Sequence, residues 1–89
     1  MVAQMELMTY ADRKPMGRQL STVYALMSFG DWWTFESLRD ALLRRGIGIS
    51  EAGVSARIRD LRKPCYGQHI IERRKTERKG IWSYRMVPR

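Results

Sequence analysis

The chain has 89 residues, 44% of them hydrophobic, with 17 Lys and Arg against nine Asp and Glu and a net charge of +8. That length allows one small domain with a single modest core and excludes two packed domains. The lone cysteine, Cys65, excludes an intramolecular disulfide, and no stretch approaches the roughly 20 apolar residues that span a bilayer, so a reducing compartment without membrane contact is expected.

Residues 1–16 hold Met1, Met5, Leu7, Met8 and Tyr10 without clear periodicity, then Asp12, Arg13, Lys14 and the breaker Pro15. They are expected to form an arm or short extra helix preceding a domain over 17–89. This N-terminus lacks the charged start and apolar run of an export signal. From Gly17 the pattern changes. Leu20, Val23, Tyr24 and Met27 recur at i, i+3, i+4 and i+7, which predicts a first helix buried on that face and ending near Phe29 and Gly30.

Thr34 is placed to cap a second helix, and Trp33 before it and Leu38 after it fit a hydrophobic staple. Phe35, Leu38, Ala41 and Leu42 form its inner face, and Arg44, Arg45 and Gly46 mark its end. Ser50 is a second strong cap, and Ile49 with Val54 repeats the staple. In the third helix Val54, Ile58 and Leu61 share the inner face. At 100 degrees per residue, Ala52, Ala56, Arg59 and Lys63 lie opposite, flanked by Ser55 and Arg62 on one side and Gly53 and Asp60 on the other. Pro64 ends this helix.

Residues 70–75 and 81–87 read as two strands around a polar turn over 76–80. In the second strand Trp82, Tyr84 and Met86 alternate with Ile81, Ser83 and Arg85. At least two of Trp32, Trp33 and Trp82 are expected to close the core rather than to stack on single-stranded bases. The expected fold class is α+β, three helices and a C-terminal hairpin.

Charge is unevenly spread along this order. Residues 1–49 hold six Lys and Arg against five Asp and Glu, whereas residues 50–89 hold eleven against four. A one-sided basic field attracts phosphate before any specific contact forms, so the second half is expected to meet a polyanion, with nucleic acid the default.

The run SEAGVSARIRDLRKP, followed by the basic stretch ERRKTERKG and the strand GIWSYRMV, resembles the winged helix-turn-helix superfamily. More narrowly, it resembles small winged-helix proteins carried by bacteriophages and prophages. The similarity covers about residues 17–87. It implies a third helix lying in the major groove of double-stranded DNA and a hairpin wing on the backbone or minor groove. By position, Ser50, Ala52, Ser55, Ala56 and Arg59 would face base edges, and Arg62 and Lys63 would approach phosphate. Arg73, Arg74, Lys75, Arg78 and Lys79 would make the wing contacts. The implied role is regulation of transcription or DNA replication in the bacterial cytoplasm or nucleoid. A homodimer reading two half-sites is a further expectation, with residues 1–16 or the outer face of the first helix as its interface.

The chemistry of these residues suits that role. Guanidinium donates two parallel hydrogen bonds to a guanine edge, and small residues such as Ala52 and Ala56 let a helix approach closely. Gly53 departs from an ideal helix, and Glu51 and Asp60 place carboxylates where they would repel phosphate. Arg57 and Asp60, three apart, suit an intrahelical pair worth about 0.2–0.5 kcal/mol. Those carboxylates keep open an alternative in which the fold docks on an acidic host protein and modulates it. No paired carboxylates, Ser-His combination or glycine-rich phosphate loop is present, so no enzyme activity is expected. Cys65 and His69 lack a second ligand pair, so neither a metal site nor any other cofactor is expected.

Overall fold

A computed structural model describes residues 14–89, and the first thirteen residues of the expected arm lie outside it. The architecture is α+β, with three helices against a three-stranded antiparallel sheet. In chain order come α1 (Arg18–Met27), β1 (Trp33–Thr34), α2 (Phe35–Arg44), α3 (Glu51–Leu61), a 3-10 turn (Pro64–Tyr66), β2 (Ile71–Lys75) and β3 (Trp82–Met86). The sheet order is β1-β3-β2.

Each helix starts and stops for a local reason. Thr34 accepts a bond from the amide of Ser37, while Ser37 Oγ accepts one from the amide of Thr34, a reciprocal box that satisfies two otherwise free donors. Only the Thr34 half of this box was expected. At the far end of α2, Gly46 takes φ of +76°, a left-handed conformation that suits glycine. This lets the Gly46 amide reach Leu43 O and the Ile47 amide reach Leu42 O, closing the helix while burying Ile47 in the core. Ser50 Oγ caps α3 by accepting from the amide of Gly53 at 3.0 Å.

The core joins Leu20, Val23 and Met27 of α1, Leu38 and Leu42 of α2, Val54, Ile58 and Leu61 of α3, and Met86 of β3. The three-four spacing of apolar residues therefore predicts all three inner faces except at Tyr24. Tyr24 keeps 37% of its surface exposed and its ring rests against His69 at 5.3 Å, so the full burial expected for it is corrected. A tyrosine at the edge of a helical stripe keeps its hydroxyl wet while covering a neighbour. Of the expected arm, the Lys14 amide donates to Cys65 O at 3.2 Å and Met16 packs against the core, which fixes where the arm joins the domain.

The sheet departs from expectation in two ways. Trp33 and Thr34, read as connector and cap, also form a short third strand, pairing with Tyr84 and Ser83. Only one tryptophan packs on the core, against an expectation of at least two. Trp33 does so, but Trp32 lies under the guanidinium groups of Arg74 and Arg85, and Trp82 under Arg73 and Lys75. The fully buried core residues are aliphatic or Met, and the Trp32 and Trp82 rings support cations at the edge of the domain.

Candidate functional site

The register of the hairpin determines which cations share a face. Arg73 pairs with Tyr84 and Lys75 with Trp82, on the side that carries Met86 into the core. Arg74 and Glu72 alternate with them and belong to the opposite side, where Arg74 Cζ sits 4.2 Å from the Trp32 ring centre. The wing residues inferred from the resemblance are thus divided. Arg73 and Lys75 share the face of the sheet that packs on the helices, and Arg74 points away from it.

On the helical side, Ala52, Arg59, Arg62 and Lys63 are exposed and Ser55 and Ala56 are half-buried, around an inner face of Val54, Ile58 and Leu61. Between α3 and β2 lies a cleft of about 130 Å³ lined by Ser55, Arg59, Arg62, Arg73, Phe35 and Tyr84, among others. Phe35 and Tyr84 stack with ring centres 4.6 Å apart and planes within 5° of parallel. This pair was missed as a unit. Phe35 was legible as an inner-face residue and Tyr84 as one of an alternating set, but their meeting depends on tertiary packing.

A second cleft, of about 150 Å³, lies on the other side of the stack and includes Glu36, Glu51, Arg78 and Gly80. Its charges are paired. Arg78 Nη2 lies 3.3 Å from Glu36 Oε2, tying the hairpin turn to the start of α2, and Arg39 Nη1 lies 2.9 Å from Glu51 Oε2, tying α2 to α3. Ser50 sits at the head of α3 with its acceptor engaged by the cap, and Lys79 lies exposed in the turn.

The two carboxylates that argued against phosphate are both neutralised within the chain. Glu51 is held by Arg39. Asp60, whose side chain is 16% exposed, lies between Arg57 Nε and Lys63 Nζ, each at 2.9 Å. The Arg57 Nε–H is not directed along its contact, so that pair is chiefly charge against charge. Lys63, expected at phosphate, spends part of its charge here.

Burial alone would raise the Asp60 carboxyl, but the bond from Lys63 and the charge of Arg57 outweigh it and hold the group below its ordinary value of 3.8. Lys63 is raised in turn, chiefly by its bond to Asp60. A carboxyl with a lowered folded value adds stability above its unfolded value and loses it as pH falls through the folded one. Acidification from about pH 5 downward is therefore expected to lower the thermal midpoint, more steeply for the parent than for Asp60→Asn. Melting curves followed by circular dichroism across that range measure the difference, and equal slopes would remove Asp60 as a source of the dependence.

Among the described residues no group of three or more His, Cys, Asp and Glu is placed to hold a metal ion, and no helix is long and apolar enough to cross a membrane. No family model matches the chain, and no curated protein or solved structure matches it.

Proposed function

We propose that the chain is a winged helix-turn-helix protein that binds double-stranded DNA, with α3 in the major groove and the β2–β3 hairpin as its wing. The order of elements supports this, but the observation that carries it is the cleft in which Ser55, Arg59 and Arg62 of α3 meet Arg73 of the hairpin. Two elements remote in sequence present cations to one surface while the nearby acids are neutralised from within. Such a surface neutralises backbone phosphates, and the small, exposed Ala52 lets the start of α3 approach base edges. The resemblance to phage and prophage proteins suggests a regulator of transcription or DNA replication.

Fluorescence anisotropy against a random duplex and a duplex selected from a genomic library, each titrated with salt, tests this. The selected duplex is expected to bind more tightly, and log K for both is expected to fall linearly with log salt at about 0.9 per phosphate neutralised. Absence of duplex binding near physiological salt would sink the proposal and turn attention to an acidic protein partner.

A further inference from the structure

The clefts on either side of the Phe35–Tyr84 stack differ in one respect that bears on ligand chemistry. Glu36 and Glu51 line one of them along with Arg78, whereas the other is lined by three guanidinium side chains and no carboxylate. Among the described residues, Arg59 and Arg62 make no ion pair, and Arg73 rests only on the Trp82 ring, its Cζ 4.6 Å from the ring centre. Three like charges around one small hollow repel one another, and an anion seated there would relieve that repulsion.

Size and chemistry narrow the anion. About 130 Å³ has room for a tetrahedral oxyanion, and three guanidinium groups with no carboxylate favour that anion over a neutral base. Guanidinium donors match phosphate oxygens in pairs, and the Ser55 and Tyr84 side chains add hydroxyl groups at the wall.

We propose that this cleft is a clamp for a single backbone phosphate, with Arg59, Arg62 and Arg73 as shared ligands of one group. The inference rests on the DNA-binding reading and narrows it. Arg59, placed at a base edge by resemblance alone, becomes a phosphate ligand, and one phosphate couples helix to wing.

The number of phosphates distinguishes this from three independent contacts. Arg59→Gln, Arg62→Gln and Arg73→Gln are each expected to weaken the selected and random duplexes alike, by about tenfold, as loss of one charge-assisted bond implies. The triple variant is expected to flatten the salt slope by about 0.9, the value for one phosphate, whereas three separate phosphates would remove about 2.7. These side chains are exposed, so melting curves are expected to match the parent and exclude misfolding as the cause.

Inorganic phosphate titrated into the nitrogen-15-labelled full chain at constant ionic strength provides a readout independent of DNA. Saturable shifts confined to the amides of Ser55, Arg59, Arg62 and Arg73, and lost in the triple variant, are expected. Diffuse, unsaturable shifts that include Lys79 and Arg44 would overturn the clamp, as would a slope change near 2.7 or a change of site preference in Arg59→Gln. The source of the phosphate is read from duplexes with and without 5′-phosphates. Equal binding supports the backbone, and binding only with terminal phosphates overturns it. Saturable inorganic phosphate without any duplex binding would overturn the DNA reading and leave a free-phosphate site, whereas intact duplex binding with no such saturation would overturn the clamp alone.

Discussion

Ala52→Glu is expected to weaken duplex binding by about two orders of magnitude while leaving the fold as stable as the parent, since like charges brought together at an interface cost several kcal/mol. Ala52 is exposed in the first turn of α3, immediately after Glu51. A carboxylate there suits the helix itself, because acids near a helix N-terminus interact favourably with its free amides and dipole. It does not suit a polyanion. Unlike Glu51, held by Arg39, the new carboxylate would have no cation designed to meet it. The measurement pairs anisotropy on the selected duplex with a urea melt. Unchanged affinity would mean that the start of α3 stays clear of DNA, and the placement of this helix in the groove would be abandoned.

The opposite partition is expected for Leu42→Ala. Leu42 is fully buried between the three helices, and truncating such a leucine typically costs about 2–5 kcal/mol through lost transfer energy and the cavity left behind. A chain of this size has only roughly 4–13 kcal/mol of stability, at 0.05–0.15 kcal/mol per residue. The urea midpoint is therefore expected to fall by about 1.3 M or more, given a slope of about 1–1.5 kcal/mol per molar for a small domain. Duplex affinity of the fraction that stays folded is expected to match the parent, because the Leu42 carbonyl still accepts from Arg45 and Ile47 and holds the end of α2 in place. A midpoint within 0.5 M of the parent, on the order of 0.5 kcal/mol at that slope, would show that the core collapses around the cavity.

These two variants differ for a reason visible in the sequence itself. Apolar spacing and cap residues locate α1, α2 and α3 because both are local signals: Ser50 and Thr34 act within three residues, and Leu38 and Leu42 lie one turn apart. The hairpin is legible on the same grounds, through the alternation of Trp82, Tyr84 and Met86. β1 is not, because two residues cannot display a period and its partners lie some fifty positions away. The candidate site divides in the same manner. Strand alternation alone sets Arg74 opposite Arg73 and Lys75, but only the pairing register, which aligns Ile71 with Met86, reveals which of the two sides packs on the core. The neutralisation of Asp60 by Arg57 is readable at a spacing of three, while Arg39 reaching Glu51 crosses between helices and leaves no local trace.

Two of the three indoles lie directly beneath side-chain cations of the hairpin, Trp82 under Arg73 and Lys75 and Trp32 under Arg74 and Arg85. Emission from an indole responds to nearby charge, so the hairpin carries its own optical reporter. A ligand that draws Arg73 off Trp82 changes the light emitted by a ring it never touches, whereas a ligand meeting Arg74 acts on Trp32 across the sheet. With Trp82→Phe and Trp32→Phe variants, unlabelled protein can thus reveal which side of the hairpin is occupied.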